Sequence, residues 1–176
     1  MNYIEKILFT EEECKKIIGM INTEDEIDGK QKYSQNNTVE VSFNEYKFTD
    51  NQNNKWFLDR IKKHIEESLK INLIELNEDF HVLIYKVGDA FPKHIDYFSN
   101  SDNPRIYTFG LLLNDDFEGG EFVIYTESTK TLNKTIGNSY LFDTTIPHEV
   151  KKISKGDRIS LIIHIRNNEI KKRNLF

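Results

Sequence analysis

His94, Ile95 and Asp96 form a triplet whose first and third side chains point the same way in an extended backbone, because alternate residues share a face. His148, directly after Pro147, supplies a third ligand-capable side chain. Two imidazoles and one carboxylate leave about three positions of an octahedral ion open. The set suits non-haem iron(II). Neutral imidazole binds it well, the carboxylate lowers the site's net charge, and the open positions can take a chelating organic acid and O2. A His-x-Asp triplet alone is a weak signal, since a surface hydrogen-bonded pair reads the same. Its order along the chain strengthens it. The triplet follows a strand, His148 comes later, and Arg158 lies ten residues beyond. Arg158 and Ser160 begin the last strand and share one face. An arginine inside a barrel needs an anion, and a dicarboxylate's distal end matches the guanidinium fork.

Other residue groups read as structural. Gly119-Gly120 is a hairpin turn and Asp115-Asp116 an exposed acidic turn. Glu121 is a solvated strand-end carboxylate. His164 shares the face of Arg158 and Ser160 but is expected to be a satisfied interior histidine, and His81 is read the same way.

Two helices are expected to open the chain. Thr10 and Glu13 form a capping box, and Ile17, Ile18 and Ile21 follow at helical spacing. A second helix is expected from about Asn53 or Asn54 to about Lys70, with Phe57, Ile61, Ile65 and Leu69 on one buried face. Trp56 and His64 sit beside that face as packing or surface residues. Between the helices, Val39, Val41 and Phe43 alternate and suggest a strand. After residue 78 the period becomes two. FHVLIYKV, RIYTFGLLL, EFVIY, SYLF and RISLIIHI are short β-branched or aromatic runs separated by turn signals such as Gly88-Asp89, Asn103-Pro104 and Gly137-Asn138. Such a series argues for an antiparallel sandwich or barrel, with the helices covering one face of it.

The 176 residues suffice for one domain. The longest apolar runs are far too short to span a bilayer, so no membrane partner is expected. The formal net charge of −5 argues against nucleic acid, which wants a clustered basic face. The C-terminal KKRNLF reads as a frayed basic end. Cys14, the single cysteine, excludes an internal disulfide and is expected to be a small buried residue. With no signal-peptide pattern at the N-terminus, the expectation is a reducing cytoplasmic location.

Residues 80–166 resemble the prolyl-4-hydroxylase-like branch of the 2-oxoglutarate/iron(II) oxygenases. The resemblance rests on YKVGDAFPKHIDYF, RIYTFGLLLNDDFEGGEF and GNSYLFDTTIPHEVKKISKGDRISLIIHI. FTEEECKKII is also similar to that family's first helix. The resemblance implies a mainly β fold, with a double-stranded β-helix (jelly-roll, cupin-like) core at 80–166 inside a single domain, 1–176, and N-terminal helices packed on one sheet. It implies iron(II) on His94, Asp96 and His148, 2-oxoglutarate on Arg158, O2 as co-reactant, and it allows ascorbate as a reductant. Tyr85 matches a tyrosine lining the cosubstrate pocket, and its alternative is a barrel-packing role. The chain departs from the family at Leu112, where a tyrosine commonly holds the cosubstrate's distal carboxylate. Ser160 is the best-placed replacement and Thr108 the alternative. The implied activity is hydroxylation of a C–H bond. The first expectation is a prolyl residue of a peptide or protein, and a free amino acid or small metabolite is the close second. The competing class is a cupin-like module that binds a metal or ligand without turnover. Such a module has no use for a dicarboxylate clamp.

Overall fold

The computed structural model describes residues 3–27, 44–48, 51–74, 76, 80–97 and 102–170. The N-terminal part comprises strand β1 (Tyr3–Ile7), helix α1 (Glu11–Ile18), β2 (Ile21–Ile27), β3 (Asn44–Phe48) and helix α2 (Asn51–Leu69). Ten further strands follow: β4 (Phe80–Tyr85), β5 (Phe91–His94), β6 (Arg105–Leu112), β7 (Glu118–Gly119), β8 (Phe122–Tyr125), β9 (Thr129–Thr131), β10 (Asn138–Asp143), β11 (His148–Val150), β12 (Ile153–Lys155) and β13 (Arg158–Arg166). Thr10 starts α1 as its sequence requires: its hydroxyl accepts from the Glu13 amide, and the Glu13 carboxylate accepts from the Thr10 amide. Helix α2 begins at Asn51, slightly ahead of the expected start, and Lys70 ends it in the left-handed region at φ 55°. The expected strand at Val39, Val41 and Phe43 and the KKRNLF tail lie outside the described residues.

The strands form a seven-stranded sheet in the order β1-β10-β6-β13-β4-β3-β2, a four-stranded sheet β5-β11-β8-β9, and a ribbon β12-β7. Every pairing is antiparallel. This is the double-stranded β-helix arrangement.

The register gives the large sheet two chemically different faces. Phe109, Leu111, Leu141, Val82, Leu161, Ile163 and Ile165 turn outward and pack against Cys14 and Ile17 of α1 and Phe57, Ile61 and Ile65 of α2. Burying each such side chain contributes about 1.5–3 kcal/mol. The opposite face looks into the double-stranded helix. There Tyr85 lies beside Arg158, Leu83 beside Ser160 and Leu112, His81 beside Ile162, Gly110 and Tyr140, and His164 beside Thr108 and Phe142. Phe122, Ile124 and Val150 of the small sheet and Ile153 of the ribbon close this interior. Its polar residues therefore sit on rigid strands within an apolar shell. Among the described residues, no helix is long and apolar enough to cross a membrane.

Candidate active site

Strand β5 ends on His94 and β11 begins on His148, and the two are register partners. Between them, the amides of Asp96 and Tyr97 both donate to the Thr144 carbonyl, at 2.9 and 3.2 Å, which pins Asp96 to the rim of the large sheet. One ligand atom from each of His94, Asp96 and His148 lies within 4.8 Å of the other two. The ring orientations follow from local acceptors. His94 Nδ1 lies 2.7 Å from the Pro92 carbonyl and His148 Nδ1 lies 3.0 Å from the Ile146 carbonyl. A carbonyl only accepts, so each Nδ1 carries a proton, and in the neutral ring Nε2 is the nitrogen left for a metal. Phe91 stacks on His94 at 3.7 Å, and Phe142 meets His148 edge-on at 4.7 Å.

The electrostatics agree with a ligand set. Burial lowers the His148 pKa to about 4, so its ring is neutral at pH 7. Burial alone would raise Asp96, but hydrogen bonding from His164 and His94 and the neighbouring imidazoles outweigh it and hold the carboxyl well below its usual range. Asp96 Oδ2 accepts from the Thr108 hydroxyl at 2.6 Å and lies 3.5 Å from His148 Nε2, while Oδ1 lies 3.4 Å from His94 Nε2. Three potential ligand atoms thus converge, two imidazole nitrogens and one carboxylate oxygen.

Arg158, on β13 of the large sheet, occupies the other end of the same interior and is 2% exposed. Its Nη1 donates to Ser160 Oγ at 2.9 Å, and its Nε has no partner among the described residues. The Tyr85 ring faces it across the strand pair, 5.5 Å from the guanidinium carbon. Gly120 leaves room for its stem: a Cβ there would lie 3.2 Å from Arg158 Cδ. No carboxylate among the described residues pairs with this buried cation. An uncompensated buried charge is costly, so the geometry calls for an anion.

Residues 80–166 match the family model of the 2OG-Fe(II) oxygenase superfamily. The chain belongs to this superfamily. Two PKHD-type hydroxylases of Prochlorococcus marinus are similar to it: that of strain MIT 9211 is 28% identical over 47% of this chain and 41% of its own length, and that of strain MIT 9312 is 26% identical over 90% and 75%. The chain thus spans under half the length of the first of them. Among solved structures, a viral collagen prolyl hydroxylase from Paramecium Bursaria Chlorella virus-1, in its 2OG complex, superposes with a TM-score of 0.70 at 20% identity, covering 94% of this chain and 96% of that one. A Pseudomonas putida prolyl-4-hydroxylase superposes with 0.64 at 17% identity, covering 98% and 94%. These two likenesses establish the fold.

The superfamily implies iron(II), 2-oxoglutarate and O2. The residues present fit them: the donor set suits iron(II), and Arg158 offers an unspent buried N–H to a carboxylate. Of the residues expected from sequence, His94, Asp96, His148 and Thr108 come together at one end, and Arg158, Ser160 and Tyr85 at the other. The Thr108 hydroxyl donates to Asp96. Two further buried residues of this interior were not expected at the site. His164 is buried with Nε2 3.6 Å from Asp96 Oδ2, while its Nδ1 lacks a partner among the described residues, so the expectation of a fully satisfied ring does not hold. Tyr140 is the other. The readable signal for it was Gly110, a glycine inside a strand, which marks a close approach by another group.

Proposed function

We propose that this chain is an iron(II)- and 2-oxoglutarate-dependent dioxygenase in which His94, Asp96 and His148 hold the metal and Arg158 binds the cosubstrate's distal carboxylate. The observation that carries the reading is the presence, in one interior between the two sheets, of three convergent ligand atoms and a buried guanidinium that no described carboxylate neutralises. Bound together, iron(II), 2-oxoglutarate and O2 supply the oxidising power to hydroxylate a C–H bond. The chain's own residues do the positioning. Pro92 and Ile146 fix the two imidazole tautomers through their carbonyls. Thr108 orients the Asp96 carboxylate. Arg158, steadied by Ser160, sets the direction of the cosubstrate. Phe91, Phe122 and Phe142 crowd water away from the histidines. One domain, 1–176, suffices for this assembly.

We assign the substrate as a prolyl residue in a peptide or protein. The prolyl hydroxylase names of the solved structures support this. The His94 side chain is 20% exposed against 5% for His148, so the metal end opens on the His94 side, where a substrate would enter. Anaerobic protein with iron(II) and 2-oxoglutarate is expected to show a visible charge-transfer band. In air it is expected to release succinate with a mass gain of one oxygen on proline-containing peptides. A colourless mixture despite bound iron would favour the non-catalytic metal-binding module. Turnover of free amino acids but not of peptides would overturn the substrate assignment.

A further inference from the structure

Arg158 offers a carboxylate only part of what it can accept. A carboxylate has about four lone-pair sites. Arg158 Nη1 is engaged by Ser160, and the Thr108 hydroxyl, the other candidate donor, is given to Asp96. Leu112 has no donor at all. Tyr140 has one. It projects from β10 onto the same interior face, 2% exposed; its hydroxyl lies close enough to interact with the Arg158 guanidinium, which can only donate, and finds no acceptor for its own proton among the described residues. Its position is built into the backbone. A Cβ on Gly110, its neighbour on β6, would sit 1.9 Å from Tyr140 Cε2 and 2.6 Å from the hydroxyl, so only glycine lets the phenol lie across the strand. Phe122 stacks on the ring at 4.2 Å and holds it there. Burial raises the phenol's pKa, with Arg158 opposing from close by, so the group stays a protonated donor beside the guanidinium.

We propose that the Tyr140 hydroxyl, reached across Gly110, is the second donor to the distal carboxylate of the dicarboxylate cosubstrate, beside Arg158 Nε. Leaving a buried hydroxyl proton and a buried guanidinium N–H both without an acceptor costs free energy. One carboxylate satisfies both. Ser160 acts behind them by orienting the guanidinium. This inference rests on the cosubstrate reading above.

The test uses the full chain with manganese(II) in place of iron, so that binding is read without turnover. Dissociation constants are measured for 2-oxoglutarate and for pyruvate, which shares the 2-oxo acid head but lacks the distal carboxylate. Wild type should prefer 2-oxoglutarate. Tyr140→Phe should weaken 2-oxoglutarate binding about tenfold to a hundredfold, the scale of one hydrogen bond to a charged group, with pyruvate binding unchanged. The ligand-free variant should unfold at no lower temperature than wild type, because the ring is kept and only a hydroxyl without an acceptor is removed. Unchanged 2-oxoglutarate affinity, equal losses for both acids, or a clear loss of ligand-free stability would each overturn the role of Tyr140 alone. A wild type that does not prefer 2-oxoglutarate would overturn the cosubstrate reading as well.

Discussion

A histidine can bind a metal only through a nitrogen that carries no proton, and an aspartate directs its charge only when its second oxygen is held. Here both conditions are met by neighbours of the proposed ligands rather than by those residues themselves. The carbonyls of Pro92 and Ile146 choose the tautomers, and Thr108 holds Asp96 Oδ2 at 2.6 Å. His94→Ala and His148→Ala are expected to abolish 2-oxoglutarate turnover and most iron binding, and near-wild-type turnover in either would sink the ligand assignment. Thr108→Val keeps the shape but removes the donor. It should weaken iron affinity about tenfold to a hundredfold, as loss of a supporting group beside a metal ligand does, with the preference for 2-oxoglutarate over pyruvate intact. A competing chelator titration reads the first, and the second separates a role toward Asp96 from one toward the cosubstrate. The convergence of His94, Asp96 and His148 was legible because residue type and spacing carry it. The hydrogen bond of Thr108 and the approach of Tyr140 across Gly110 were not, because they depend on which residues face each other across β6, β10 and β13, and register is not written in any single strand.

At the scale of elements, helix α1 is tied to α2 by an ion pair as well as by apolar packing. Glu13 completes the cap of α1 and also meets Arg60 of α2 at 2.8 Å, while the Arg60 guanidinium lies over the rings of Phe9 and Trp56. The Arg60 hydrogen bond and the Thr10 amide hold the Glu13 pKa at about 2 rather than 4.5. The folded carboxyl therefore binds its proton more weakly than the unfolded one. Its contribution is complete above about pH 4.5 and drains away as pH falls through about 2. Glu13→Gln can still cap the helix but loses the charge. It should lower stability by about 0.5–1 kcal/mol at pH 7, since Arg60 is 40% exposed and its pair is partly screened. Urea unfolding at several pH values should show the gap from wild type narrowing in acid, and a gap constant down to pH 2 would mean the charge does not matter. Both helices and strands β4, β6, β8, β10 and β13 were readable from the capping box and the change of period, but Ile21, read at helical spacing on the first helix, begins β2, because α1 stops at Ile18. Strand β1 was not: its last three residues are exposed, and pairing with β10 makes it a strand. Strands β7, β9, β11 and β12 have three residues or fewer, too short for alternation to register.

Across the whole molecule, the large sheet has the proposed active site on one face and the helix-packed core on the other, so events at the site should be felt at the helices only through global stability. Cys14 is the natural reporter. It is fully buried in the core beneath α1, and burial, helped by the nearby charges of Glu13 and Asp115, pushes its thiol up to about 12. A thiol needs its thiolate form and access to react, so the folded protein should resist alkylation at neutral pH. Labelling then requires opening, and its rate tracks the open population when reclosing outpaces the reagent. A ligand that binds only the folded chain reduces that population by the factor 1 + [L]/Kd, or about a hundredfold at a hundred times Kd. Manganese(II) with 2-oxoglutarate at that excess should therefore slow Cys14 labelling about a hundredfold, although both bind on the opposite side of the sheet. The variant Arg158→Ala, which removes the guanidinium that no described carboxylate neutralises, should lose most of the slowing due to 2-oxoglutarate while keeping that due to the metal. If labelling stayed fast in the presence of ligand while the melting temperature rose, α1 would be opening by itself, and the helices and the site would not share one cooperative unit.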